Sequence, residues 1–275
     1  MSASHSAASH SAATLALAAK ESAEHHTPAM STLLSASLSS PVVVLASPLS
    51  SPLPSGPSLV RSKVVHFVRH GQGFHNLLAD LYSSSGRKWT QFEPGEDNPY
   101  TQEEVTDAPL THKGRLQAEA LRARASATGT RLLVTSPHTR ATQTALIAFR
   151  HLEGGVPVVC REEVREETGA HACDRRRAVA ELRGDFPRVD YGGVEEEDGL
   201  FGKERESKAS LGKRIHSFLD WLGEREEEEV AVASHSGWLV TLFNGCVKTE
   251  EGSGLEEWFQ TGEMRSVRLS WVKNV

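Results

Sequence analysis

The chain has 275 residues, with 30 Lys and Arg against 36 Asp and Glu and a formal net charge of -6. The absence of a basic excess argues against a general nucleic-acid binder, because nothing would displace counterions from a phosphate backbone. No apolar run is long enough to span a bilayer. Three widely spaced cysteines, Cys160, Cys173 and Cys246, make no paired framework and point to a reducing compartment.

Residues 1 to 60 are rich in Ser and Ala, end near Pro48-Leu49-Ser50-Ser51-Pro52-Leu53-Pro54, and carry only Lys20, Glu21 and Glu24 as charges. Such a composition buries too little apolar surface to offset its ordering entropy, so residues 1–60 are expected to be a disordered tail. The alternative is a cleavable targeting peptide, since the segment is Ser-rich and acid-poor, although no Arg precedes Arg61. Val42 to Ala46 is too short and too late for a secretory core. The expected compartment is the cytoplasm, or a plastid if residues 1–60 are a transit peptide.

From Arg61 onward, strand-like and helix-like stretches alternate, which predicts a three-layer α/β/α sandwich with a mainly parallel sheet over 61–275. Val64, Val65, Phe67 and Val68 read as a buried strand leading into Arg69-His70-Gly71, and Asn76 opens a helical stretch. Residues 83–108 read as a long loop or flap. Thr111 is a predicted N-cap for a helix that carries Leu116, Ala120 and Ala123 on one face. Leu132 to Thr135 forms a second strand, and Ser136-Pro137 caps the next helix, with Arg140 in its first turn. A third strand runs from Val156 to Cys160, and a helix is expected from about Arg175 to Arg183. After the acidic run at 195–198, Leu211, Ile215, Phe218, Leu219 and Leu222 mark one apolar helix face. Val230 to Ala233 is a fourth strand, followed by Ser234-His235-Ser236-Gly237, and a last strand lies near 267–272.

If these strands are parallel neighbours, their carboxyl ends bring His70, His235, Arg69 and Arg140 to one crevice. Two guanidinium forks and an imidazolium suit a dianionic phosphoryl group, and the other imidazole can attack phosphorus. The ordered motifs are Arg69-His70-Gly71 with Asn76, Leu110-Thr111-x-x-Gly114, Ser136-Pro137-x-x-Arg140-x-x-Gln143-Thr144-Ala145, and His235-x-Gly237. With them the sequence resembles the histidine phosphatase superfamily, the phosphoglycerate-mutase-like enzymes, from about Lys63 to the C-terminus. Arg165-Glu166-Glu167-Thr168-Gly169 and Cys173 to Arg177 resemble the plant and fungal branch in particular.

The resemblance implies roles by position. His70 would be the nucleophile that becomes phosphohistidine, and Arg69, Arg140 and His235 would hold the phosphoryl oxygens. Glu166 would protonate the leaving oxygen and later activate water, and neither metal nor cofactor is required. Glu162, Glu163 and Glu167 crowd the same loop, and any of them could be the acid instead. Asn76 either orients the nucleophile loop or caps a helix. Arg175, Arg176 and Arg177 either read a second anionic group or pair with neighbouring acids beside a helix capped by Asp174. His66, His75, His138 and His171 lack metal-ligand spacing, and Cys173 and Cys246 read as small buried residues.

Two positions depart from the superfamily pattern. A Thr or Ser commonly stands where this chain has Gly73, so one hydroxyl contact to phosphate is missing, and His138 replaces an apolar residue. The expected function is a metal-independent phosphomonoester hydrolase of the histidine acid type, acting on a small phosphorylated metabolite, with no nucleic-acid or membrane partner. The alternatives are a mutase with the same phosphohistidine chemistry, or an inactive scaffold that binds phospho-ligands. The acidity of the loops at 83–108 and 195–208 makes a highly anionic substrate less natural and favours the phosphatase.

Overall fold

The computed structural model describes residues 28–54, 58–90 and 98–274. Seven strands form one sheet: β1 (Val42–Pro48), β2 (Leu59–Arg69), β3 (Leu132–Thr135), β4 (Val158–Cys160), β5 (Glu229–Ser234), β6 (Lys248–Thr249) and β7 (Met264–Lys273). Their order is β4-β3-β5-β2-β7-β1-β6, and only β7 runs against its neighbours. The four strands at 59–69, 132–135, 158–160 and 229–234 lie side by side and parallel, so their carboxyl ends share one edge.

Alternation along β5 explains the three layers. Val230 and Val232 face a core built with Leu211, Ile215, Phe218, Leu219 and Leu222 of the helix Lys208–Glu224. Ala231 and Ala233 face the opposite core, with Ala145 and Ala148 of the helix Thr139–Ala148 and Leu182 of the helix Val179–Asp185. Successive side chains on a strand point to opposite faces, and both are covered here, which is why Val230 to Ala233 are all apolar.

The boundary expected at residue 60 is corrected. Pro28–Leu38 is a helix and Val42–Pro48 is a strand that pairs antiparallel with β7 along its whole length. Met30 is buried, and Ser37 Oγ donates to the Gly245 carbonyl at 2.9 Å. Leu33 packs against the main core, over Gly212 and Gly245. Residues 28–48 are therefore part of the domain. Their small, weakly apolar residues acquire burial from a sheet edge and a glycine-lined helix surface rather than from each other. The tail or targeting reading of residues 1–27 lies outside the described residues.

Three element readings also shift. The helix His112–Ala120 buries Gly114 and Ala118, followed by Leu121, while Leu116 is 51 % exposed. The face is set by a glycine and an alanine that permit close approach, which hydrophobicity alone does not reveal. The helix expected at 175–183 begins at Val179, because Arg175 to Arg177 are held extended by ion pairs. The helix after Ser136-Pro137 starts at Thr139 with His138 as its N-cap residue.

Two of the sequence motifs meet backbone to backbone. A Cβ added at Gly71 would lie 2.3 Å from the Gly114 carbonyl oxygen, and one at Gly114 would lie 2.1 Å from the Gln72 carbonyl oxygen. Thr111 caps its helix by accepting from the Gly114 N–H at 3.1 Å, and its own N–H donates to Gln72 O at 2.9 Å. Neither backbone can retreat, so Gly114→Ala is expected to cost about 1–3 kcal/mol or more. Gly184→Ala, in a helix with open space around it, should be neutral or stabilising by up to about 1 kcal/mol. Urea midpoints of the two variants check this contrast.

Candidate active site

Strand ends at one sheet edge deliver the site. β2 ends in Arg69 and passes directly to His70, β3 to Ser136, and β5 to His235. The His70 and His235 ring centroids are 5.0 Å apart, and both rings are buried. His70 Nδ1 lies 2.7 Å from the carbonyl oxygen of Gly71, so it is the donor and Nε2 carries the lone pair. The Gly71 N–H donates to Thr144 Oγ1 at 3.0 Å, and the Leu110 N–H donates to Gln143 Oε1 at 2.9 Å. Gln143 and Thr144 therefore tie the Leu-Thr-x-x-Gly and Arg-His-Gly segments to the helix that carries Arg140. Ser136 Oγ lies 2.8 Å from His235 Nε2 and 3.2 Å from His138 Nδ1.

Arg140 is 1 % exposed and is held from behind. Its Nη1 donates to the Cys173 carbonyl at 2.6 Å and its Nη2 to Asp174 Oδ1 at 3.0 Å. Its Nε is buried with no partner. Asp174 also receives Arg205 Nη1 at 2.6 Å and faces His171 Nδ1 at 3.7 Å. Burial would raise the Asp174 carboxyl, but Arg205, His171 and Arg140 outweigh it and hold the group well below the usual carboxylate range. Arg69 Nη1 donates to the Phe259 carbonyl at 2.6 Å, and its guanidinium sits over the Trp258 ring.

The four candidate acids separate by their partners. Glu162 pairs with Arg165 and Arg176, Glu163 with Arg161, and Glu167 with Lys208 and Arg205. Glu166 forms no ion pair among the described residues. It accepts backbone N–H groups instead: Trp238 at 2.9 Å, Gly237 at 3.1 Å and Glu167 at 2.9 Å. These contacts set its carboxylate beside the residues that follow His235.

Asn76 is not an N-cap. It is the third residue of the helix Phe74–Ser84, and its Oδ1 accepts the Gly73 N–H at 3.0 Å, bracing the loop that follows His70. The three arginines at 175–177 are consumed by acids, Arg175 by Glu103, Arg176 by Glu162 and Arg177 by Asp107. Arg176 Nη2 further takes the carbonyls of Glu195 and Glu197, so this cluster fastens the acidic 195–198 run to the domain.

Three of the four histidines that looked scattered in the sequence, His75, His138 and His171, prove to lie in or beside the crevice, with Tyr100 among them. His75 lies 5.5 Å from His70 by ring centroids, Tyr100 6.0 Å from His75, and His171 5.4 Å from Tyr100. His138 lies 5.0 Å from His235. The 83–108 segment thus brings a short 3-10 turn, Pro99–Thr101, against the site. Asp107 anchors its far end by accepting the Thr139 N–H and hydroxyl at 2.8 and 2.6 Å. Only the Arg-His-Gly and Ser-Pro motifs flanking His75 and His138 could have signalled them. His66 is elsewhere, between Ser266 and Glu229. Among the described residues no group of three His, Cys, Asp or Glu could hold a metal ion.

The buried crevice by itself disfavours an imidazolium. Burial, followed by the Arg140 charge, pushes His70, His75, His138 and His235 well below their ordinary value of 6.5. All four are therefore neutral at neutral pH. A group with a depressed folded pKa is matched by the unfolded chain above 6.5; below it, only the unfolded chain takes the proton. Stability is thus expected to fall as pH drops below about 6.5, by up to about 1.4 kcal/mol per pH unit for each histidine. Asp174 acts in the same direction only below its ordinary value of 3.8. Lower urea midpoints at pH 5.5 than at pH 7.5 would show this, and a flat profile would contradict neutral burial.

Comparison with known proteins places the chain in a family. The profile of the histidine phosphatase superfamily (branch 1) matches residues 65–268. A phosphoglycerate mutase-like protein from Arabidopsis thaliana is 32 % identical over 222 residues, covering 69 % of this chain and 77 % of that protein. A probable phosphoglycerate mutase from Arthroderma benhamiae is 30 % identical over 203 residues, covering 68 % and 59 %. Among solved structures, an alpha-ribazole phosphatase from Shigella flexneri aligns over 77 % of this chain and 96 % of its own. Its TM-score is 0.47 at 18 % identity. No helix among the described residues is long and apolar enough to cross a membrane.

Proposed function

The chain belongs to the histidine phosphatase superfamily, branch 1, and from that premise we propose that it hydrolyses small phosphomonoesters through a phosphohistidine on His70. The observation that carries this reading is the state of His70. Its Nδ1 proton is committed to Gly71 O, which leaves the Nε2 lone pair as nucleophile, and burial keeps it neutral. Around it stand Arg140 and His235, whose Nε and Nδ1 atoms are buried with no partner, together with Arg69. The reading assigns the 2.8 Å contact to a Ser136 O–H donating to His235 Nε2, which leaves the ring proton on Nδ1 for a phosphoryl oxygen.

In the first step His70 Nε2 bonds to phosphorus as the ester P–O bond breaks, and Glu166 gives its proton to the leaving oxygen. In the second, Glu166 takes a proton from water, the new oxygen bonds to phosphorus, and the P–N bond breaks to release inorganic phosphate. Glu166 suits both steps because no Lys or Arg side chain claims it. The direct test incubates the protein with a panel of phosphomonoesters and a chelator, quenches in alkali, and maps the phosphorylated peptide by mass spectrometry. Phosphate release with label on His70 is expected. Turnover with no phosphohistidine, or label on another residue, would overturn the assignment.

A further inference from the structure

The His75 ring occupies the space that a side chain at residue 73 would fill. A Cβ built on Gly73 would lie 2.6 Å from both Nδ1 and Cε1 of His75, and 3.5 Å from Arg140 Cδ. Nδ1 of His75 thus sits beside the loop that follows the nucleophile and close to the stem of the phosphate-facing arginine. The ring is 5 % exposed, and Nδ1 is buried with no hydrogen-bond partner. A buried polar atom left unpaired costs free energy, so a native structure that keeps one in a crevice usually uses it there. Arg140 Nε and His235 Nδ1 are in the same state. Three unpartnered nitrogens therefore belong to neighbours of His70: the His75 and His235 rings lie 5.5 and 5.0 Å from it between centroids, and the Arg140 charge acts on it.

We propose that His75 Nδ1–H donates to an oxygen of the bound phosphoryl group, in the place of the hydroxyl that Gly73 lacks. This inference rests on the phosphatase reading of the same site. Two features make the substitution coherent. Gly73 and His75 are sterically coupled, since any side chain at 73 would displace the ring. Tyr100 of the 99–101 turn also stands against the ring, at 6.0 Å between centroids, and limits its movement. A neutral imidazole is a suitable donor because it adds no charge to a pocket that already holds Arg69 and Arg140.

The test measures binding of inorganic phosphate and orthovanadate by calorimetry, without reference to turnover. His75→Phe keeps the ring volume and removes the donor. Its affinity for both anions should fall about 10- to 100-fold, as expected for a hydrogen bond to a charged group. Gly73→Ser alone should weaken binding by displacing the ring. Gly73→Ser combined with His75→Ala restores a hydroxyl and should recover affinity to within a few-fold of the natural chain. Independently of any variant, the 15N resonances of His75 should show Nδ1 protonated and shifting on phosphate addition. Unchanged anion affinity in a folded His75→Phe protein, or an unprotonated Nδ1 in the phosphate complex, would overturn the proposal. Anion binding that depends on His75 in a protein that releases no phosphate from any ester would sink the phosphatase reading and leave this one standing. Turnover through His70 with anion affinity indifferent to His75 would do the reverse.

Discussion

Glu166→Gln is expected to lower turnover of alkyl phosphates by about 10²- to 10⁴-fold, the usual contribution of a general acid. Its leaving-group dependence identifies the role. A nitrophenyl ester departs without a proton, so the variant should still form the phosphoenzyme and release close to one equivalent of nitrophenol in a burst. Hydrolysis of that intermediate, which also uses Glu166, should then be slow, and phosphohistidine should accumulate. Glu163→Gln and Glu167→Gln remove carboxylates that are already paired with Arg161 or with Lys208 and Arg205, and should retain activity within several-fold. A large loss in either of these, with Glu166→Gln near normal, would reassign the acid.

Asp174→Ala should produce the largest loss of stability, about 3–5 kcal/mol, because it strips the carboxylate from a buried pair. Arg140 is 1 % exposed and Asp174 is 3 % exposed, and Arg205 leans on the same carboxylate. Removing Asp174 leaves a cation in the interior with no counter-charge. Replacing Arg140 by Met in the same protein should therefore regain part of the loss, although not activity. Inorganic phosphate should stabilise Asp174→Ala more than the natural chain, since the anion supplies the missing negative charge. Equilibrium urea unfolding with and without phosphate measures both effects. A loss below about 1 kcal/mol would show that water reaches Arg140 and that the pair is not a buried one.

The residues that meet in the candidate site were legible in the sequence because they obey local rules. Arg69-His70-Gly71 and His235-x-Gly237 each follow a short apolar strand, and parallel strands deliver their carboxyl ends to one edge. The helix Lys208–Glu224 was equally plain, since five apolar residues at helical spacing are all buried. Glu166 could be named only together with its neighbours. Four acids within six residues look alike until each finds a partner, and those partners come from distant segments such as Arg161, Arg176 and Lys208.

Where burial is supplied by a distant surface, the sequence misled. Residues 28–48 read as a tail because their own composition builds no core. They are ordered by the β7 edge and by the close-packed surface around Gly212 and Gly245, neither of which is near in the chain. Leu116 belongs to the face expected from the sequence and is exposed, because backbone contact at Gly114 turns the helix to its small residues.

The sequence by itself determined the strand-to-histidine punctuation, the superfamily and the set of groups able to handle a phosphoryl group, since these depend on residue type and short spacing. Only the tertiary structure decided which acid stands free of a counter-ion, that the four crevice histidines are neutral, and that His75 fills the space above Gly73. Those properties depend on through-space distance and exclusion of water, which segments far apart in the chain establish together.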